Sequence, residues 1–463
     1  MNLLEQYGRQ LKVAEAYVEK NFDGKKISSN TALTTAVLLE NTNKFMTEAY
    51  ESNTIATNRA GMGAWKKFCL NLTNIAVPSL IANDLVIVHP MTSYSGAVAY
   101  LEYQSRTKKP GVKFGQTFNS VFELGNMDDG RQNFTSQVIV ENIGSDGDIT
   151  LTPIVCNKFF NKEDKQFYDA KIVRNGQEIY SKVENDKIVE TLQAGDKVAY
   201  ISGEFQMEQV PAADIPTIGP VMRSIPLVAQ PRRIAVRYDQ ITAFQAKTDY
   251  GFSLDKQIAE QACGELAYEI DTEIVDMLYE AAKKDTAATA MLQWNAEPKV
   301  GVSVFEHYNG FLRIVELAKA IIYNRTKKFS ANYIVCAADV ITVLAFVNGY
   351  TAVKNPKMNG PYKAGELNGL NVYVSPALKS GEFFVGLNGS DMMSSAGVYA
   401  PYMAIVPTQL LGTPDGGLAQ GFSTWYSKAI LNENLVVAGK ITFDYELPGT
   451  VYGVTNGTAT FAA

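Results

Sequence analysis

Residues 253–284 read SLDKQIAEQACGELAYEIDTEIVDMLYEAAKK, and an apolar side chain returns at every fourth position: Leu254, Ile258, Ala262, Leu266, Ile270, Ile274 and Leu278. That spacing belongs to a helix, with Ser253 as its cap and Lys283 and Lys284 at the negative end of its dipole. At 1.5 Å per residue it runs about 45 Å. A four-residue step overshoots the 3.6-residue turn by about 40°, so the stripe winds round the helix and does not lie along one groove. Such a helix meets different partners along its length and acts as a spine. Its polar side carries Asp255, Glu260, Glu265, Glu269, Asp271, Glu273, Asp276 and Glu280 against Lys256, Lys283 and Lys284.

Working outward toward the N-terminus, Arg232 to Thr248 reads as one extended segment. Before it, Pro211, Pro216, Pro220, Pro226 and Pro231 close a passage of short strands. Between about 130 and 210 the pairs Asp129-Gly130, Asp146-Gly147, Asn175-Gly176 and Gly195-Asp196 punctuate β-branched and aromatic runs, which predicts an all-β insertion. A strand at Leu85–Val88 stops at Pro90, and a further extended run starts at Ala97. Residues 1–50 read as helix, break, helix, and 52–63 as an extended arm. Toward the C-terminus, helix 304–323, strand Tyr333–Val335, helix 338–347 and strands at 372–374 and 383–385 form an α/β region. Strands and loops follow, including Ala404–Pro407 and Ile441–Phe443. The fold class is α+β.

The 463 residues carry 42 Lys+Arg against 48 Asp+Glu, a net charge of −6, and are 46% apolar but only 19% charged. An average chain is about 25% charged, and a surface short of charge suits protein neighbours. The mild acidity argues against a dedicated DNA-binding protein. Cys69, Cys156, Cys263 and Cys336 are widely separated, so neither a CxxC pair nor a zinc spacing exists, and sparse cysteines fit a reducing compartment. With two histidines, His89 and His307, a His-rich metal centre is excluded; both read as structural. Glu5 and Arg9 interrupt what would be an apolar signal core, so the start is an amphipathic helix. The stretch Ala76–Val88 is too short to span a bilayer. Gly61-Met62-Gly63 lacks the rest of a nucleotide fingerprint, and no GxxxxGKS/T, GxSxG or HExxH word occurs. Ser145–Asp148 lacks the closing Glu of a calcium loop. No catalytic residue, metal or cofactor is expected.

Several words, in one order across about 35–430, resemble the major capsid proteins of T-even and related tailed phages. They are Pro78-Ser79-Leu80-Ile81-Ala82-Asn83-Asp84, then Val86-Ile87-Val88, Pro90-Met91 and Ser95-Gly96. Downstream come Asn332-Tyr333-Ile334-Val335, Val340–Ala345, Tyr399-Ala400-Pro401-Tyr402-Met403-Ala404 before Pro407, and Gly421–Tyr426. The 130–210 insertion matches no word of that family.

The resemblance implies a Hong Kong 97-type capsid fold with a long spine helix, an extended β loop and an all-β insertion. Residues 1–60 would be an N-terminal arm, and 61–96 would lead from it to the peripheral domain. Residues 97–250 would form the extended loop with the insertion at about 130–210, and 251–300 the peripheral domain's spine helix. Residues 301–420 would form the axial domain, and 421–463 would return to the peripheral domain. It implies a virion subunit, assembled in the host cytoplasm into hexamers and pentamers of an icosahedral shell round double-stranded DNA. The DNA would be held without sequence-specific binding. Vertex, portal, scaffold and decoration proteins are the implied partners, and no membrane is involved. An encapsulin-like bacterial compartment shares that fold and is the alternative; a surface β-rich binding protein and an enzyme are the remaining readings.

Charge placement adds an expectation of its own. Segments 96–116 and 221–249 hold nine cations against three anions. A basic arm over an acidic neighbouring subunit would register assembly, through Arg106, Lys108, Lys109, Arg232, Arg233 and Arg237. The bland alternative is two solvated faces. Capsid proteins of the resembled family are trimmed after an apolar-x-Glu word. Glu48-Ala49 fits it, and Leu38-Leu39-Glu40 fits it more weakly; since the chain starts at Met1, an uncut arm that assists assembly is the expectation.

Overall fold

A computed structural model describes residues 3–21, 27–51, 80–106, 137–143, 159–184, 187–202, 217–251, 254–298, 301–353, 360–408 and 417–443, apart from a few single positions. The chain opens with helices α1 (Leu3–Gln6), α2 (Gly8–Asn21) and α3 (Ser29–Glu51), then a single turn, α4 (Ala82–Leu85). Strands β1 (Ile87–Val88) and β2 (Ser95–Ser105) follow, then the insertion strands β3 (Gln137–Asn142), β4 (Ala170–Arg174), β5 (Gln177–Ser181) and β6 (Lys197–Ser202). After β7 (Ile218–Val228) and β8 (Gln230–Asp239) come α5 (Gln240–Asp249) and the spine α6 (Leu254–Lys283). Next are α7 (Thr286–Met291), β9 (Gln293–Asn295), α8 (Val304–Asn309), α9 (Phe311–Thr326), β10 (Tyr333–Cys336) and α10 (Val340–Leu344). The last strands are β11 (Tyr350–Ala352), β12 (Tyr362–Leu367), β13 (Leu370–Val374), β14 (Glu382–Gly386), β15 (Gly397–Pro407), β16 (Gly417–Ile430) and β17 (Val436–Thr442).

The chain divides into two compact units, 1–98 with 224–325 and 329–463, and 99–223 with 326–328. Among the described residues, two sheets lie wholly in the first. One is seven-stranded and mixed, in the order β9-β17-β14-β10-β13-β12-β11. Its central strand β10 is buried at every position, as a strand covered on both faces must be. Phe311, Val315, Ala318 and Ile322 of α9, spaced three and four apart, pack on this core with none of their surface exposed. Phe311, Val315 and Ile322 each contribute roughly 1.5–3 kcal/mol by leaving water. The other sheet runs β1-β15-β16-β8, with Leu411–Gly412 also paired to β16. The word Tyr399–Ala404 lies inside β15, where Val398 and Tyr399 pair in parallel with Ile87 and Val88.

The spine's winding stripe does meet two partners. Ala262 and Leu266 pack with Ile405 and Phe422 of the smaller sheet. Ile270, Ile274 and Leu278, further along, enter the core of the seven-stranded sheet. Asp271 joins the spine to the word Pro78–Asp84: its buried carboxylate accepts hydrogen bonds from the Ile81 and Ala82 amides at 3.2 and 2.9 Å.

In the second unit, β3-β6-β4-β5 form an antiparallel sheet over a core of Ile143, Ala170, Ile172, Ile188, Leu192 and Val198. Asn175 and Gly176, both at positive φ, make the β4–β5 turn. The chain enters this unit along β2 and leaves along β7.

Two sequence expectations need correction. The extended segment does not run to Thr248: β8 ends at Asp239, whose carboxylate accepts from the Ile241 amide and caps α5. Helix 304–323 is two helices, α8 and α9, with Gly310 between them. Strand β15 pairs with β16, which pairs in turn with β8, while β17 pairs with β14 in the seven-stranded sheet.

Candidate assembly interface

The sequence-read contact residues and the N-terminal helix lie on either side of the smaller sheet. On one side, β8 turns Arg232, Ile234, Val236 and Tyr238 toward partial cover while Arg233, Ala235, Arg237 and Asp239 stay exposed. This is the alternation of a half-buried strand. Ile234 and Val236 seat on the spine's Ala259–Leu266 segment.

Arg232 shares that inner face, and its charge is matched within its own chain. Its Nε and Nη2 donate to the two carboxylate oxygens of Glu273 at 2.9 and 3.1 Å, and the guanidinium lies 5.3 Å over the Tyr426 ring. Lys428 Nζ reaches Glu273 Oε2 at 2.9 Å and its backbone carbonyl at 2.9 Å. Although burial alone would raise it, the Glu273 carboxyl is held down to about 2 by these two cations. Arg232 therefore has a carboxylate partner within its own chain.

The other sequence-read cations fall differently. Arg233 is exposed and sits 5.9 Å over the Trp425 ring; Arg237 is exposed on the same face, two pleats on. Neither makes an ion pair among the described residues. Arg106 is exposed; its amide donates to the Thr217 carbonyl at 2.9 Å, and its side chain lies across Gly219, where an added Cβ would stand 2.5 Å from Nε. Lys108 and Lys109 lie outside the described residues. So do the 52–63 arm, Gly61-Met62-Gly63, the Ser253 cap and the Ser145–Asp148 loop.

The opposite side of the sheet is covered by α3. Leu38 packs with Val77 and Ala404, and Asn41 Nδ2 donates to the Met91 and Tyr402 carbonyls at 2.7 and 2.8 Å. Phe45 meets Trp425 with ring centroids 6.3 Å apart. The Glu48–Ala49 bond lies within this helix, and Glu48 is exposed. In the weaker word, Leu38 and Leu39 are buried and Glu40 accepts the Tyr7 hydroxyl at 2.7 Å.

Sequence reasoning missed Lys428, 155 residues from Glu273, and the surface of α5, where Ile241 and Phe244 are 64% and 69% exposed. Both histidines are structural. The His89 amide donates to the Tyr399 carbonyl, and the His307 ring stacks on Trp294 at 4.9 Å and meets the Asn295 carbonyl. Among the described residues no group of three or more His, Cys, Asp or Glu is placed to hold a metal. No described helix is long and apolar enough to cross a membrane.

The described residues thus give a spine helix packed on two sheets, with an exposed basic strand face and an exposed acidic helix face. Residues 62–444 match the family described as Major capsid protein Gp23, and the chain belongs to that family. A major capsid protein of Enterobacteria phage T4 is 22% identical over 398 residues, spanning 78% of this chain and 74% of that one. Among solved structures, a chain from Mycobacterium phage Adephagia is 16% identical with a TM-score of 0.34, covering 53% of this chain and 81% of that one. The holo-SrpI encapsulin complex from Synechococcus elongatus gives 9%, 0.33, 55% and 84%. Likenesses at that level do not separate a virus shell from a bacterial compartment; the family match does. The protein is a major capsid protein of a T4-like phage, a multimeric shell component located in the virion.

Proposed function

We propose that this subunit assembles in the host cytoplasm into hexamers and pentamers of an icosahedral shell that encloses double-stranded DNA without reading its sequence. Vertex, portal, scaffold and decoration proteins are its expected partners. The observation that carries this reading beyond family membership is the two-signed surface of one unit. Exposed arginines stand on β8, and an exposed acidic stripe runs along α6. A surface of both signs suits repeated contact between identical copies, since each copy presents what the next needs. Arg106, Arg233 and Arg237 are the proposed contact cations, with Lys108 and Lys109 beside Arg106 in sequence.

The N-terminal helices are proposed to stay with the assembling subunit. Asn41 and Leu38 tie α3 into the fold, and a protease that binds extended substrate must first unwind the last turns of α3 to reach Glu48–Ala49. Electron microscopy of the purified protein tests the assembly reading: closed shells are expected, and monomers at high concentration would defeat it. Mass spectrometry of mature particles tests the arm: peptides from α2 and α3 are expected to be retained, and an Ala49 terminus would refute the reading.

A further inference from the structure

Helix α5 does not satisfy itself. Ten residues are too few for a stable isolated helix in water, so an element this short relies on packing. Yet its one buried residue is Ala246, while Ile241 and Phe244, three apart and so on one face, stand in solvent. It continues directly from β8, placing Arg237 four residues before Ile241. A charged strand face thus leads into an apolar helix face.

The spine shows the opposite sign. Glu265 and Glu269 are an exposed i,i+4 pair of like charges, and Asp276 and Glu280 are a second. Each pair repels itself across one helical turn. At 100° per residue the four acids lie within about 60° of one another, forming one stripe. Glu273, which could have joined them, is turned to Arg232 and Lys428. The centres of the two pairs are eleven residues apart, about 16 Å along the axis. Arg233 and Arg237, four residues apart on a strand, are separated by about 13 Å. The difference is well within the swing of an arginine side chain.

We infer that β8 and α5 of one subunit dock on the acidic stripe of α6 of a second copy, Arg233 and Arg237 each taking one acid pair while Ile241 and Phe244 are covered. The contact is heterologous, one surface against a different surface of the same chain, so it can repeat round a ring or along a sheet of subunits. It rests on the proposed shell assembly and names the surfaces that would carry it.

The test is charge reversal with rescue in the full chain. Arg233→Glu/Arg237→Glu and Glu265→Lys/Glu269→Lys are each expected to melt like the parent, since the replaced side chains are exposed. Each should assemble about tenfold more slowly at low salt, measured by light scattering and sedimentation with electron microscopy of the products. The combined variant should recover part of the rate, since one new glutamate then meets the two introduced lysines in place of acids while the other still faces Asp276 and Glu280. In 1 M salt, where the Debye length is about 3 Å, the Arg233→Glu/Arg237→Glu deficit should vanish, whereas that of Phe244→Ser should persist. Parental assembly rates in the arginine variant, or a combined variant no better than either half, would overturn the inference while leaving the capsid reading intact. A parent chain that forms no shells would overturn both.

Discussion

Replacing Glu273 with Gln removes one carboxylate and strands two cations. Three charge-assisted bonds converge on it, from Arg232 Nε and Nη2 and from Lys428 Nζ. The Arg232 and Glu273 side chains keep 29% and 30% of their surface in water, and Lys428 keeps 29%. Exposed pairs contribute about 0–1 kcal/mol, and breaking a fully buried one costs about 3–5 kcal/mol. A network two-thirds removed from water falls between, at about 2 kcal/mol. In a folded unit of this size that lowers the melting temperature by about 3 °C. The pH dependence gives a sharper reading. The folded-state value of about 2 lies below the ordinary 4.5, so the contribution is complete above pH 4.5 and is lost as pH falls toward 2. Parent and Glu273→Gln should therefore differ by a constant amount from pH 8 to about 5, then converge. Thermal and denaturant melts of unassembled subunit measure this. Equal stability at pH 7, or a gap undiminished at the lowest pH reached before acid unfolding, would refute the network. Arg232→Met in the Glu273→Gln background should cost less than the sum of the two changes, because no cation is then left facing an empty partner.

Asn41→Ala takes the donor from the Met91 and Tyr402 carbonyls and should cost about 2 kcal/mol; limited proteolysis should then release α3 sooner than in the parent. Asp271, pushed up to about 7 by burial, should make folding less favourable as pH rises from about 4 through 7. Asp271→Asn should lack that slope, and melts across this window compare the two. Gly381→Ala puts a Cβ at positive φ and 1.9 Å from the Ile441 carbonyl oxygen, so a loss of about 3 kcal/mol or more is expected, read as insoluble or low-melting subunit.

The spine helix was legible because its four-residue stripe is long and its two destinations show in the winding. Strand β16 was much less so. Flanked by β15 and β8 and reached from both faces, by α6 and by Phe45 of α3, its Gly, Ser, Thr and Gln positions follow neither a period of two nor of 3.6. The β12–β13 hairpin carried a readable signal in Asn368-Gly369, both at positive φ, although its flanking strands are too mixed to be seen without it. Helix α5 was hidden because the apolar phase of Ile234, Val236 and Tyr238 slips by one residue to Ile241 and Ala243, as a strand bulge would also make it, and only the Asp239 cap marks the change of backbone. Arg232 and Arg233 are neighbours in sequence with opposite fates, one spent on Glu273 and one facing solvent. The pleat decides this, and composition is blind to it.

The insertion keeps its own small core of Ile172, Leu192, Val198 and their neighbours, separate from the cores of the larger unit. Its β4–β5 turn at Asn175-Gly176 stands exposed at the end of a paired hairpin. A foreign peptide spliced there would ride on a module that folds round its own centre, leaving the spine and both larger sheets untouched. Each chain would then carry one copy of the peptide at that turn.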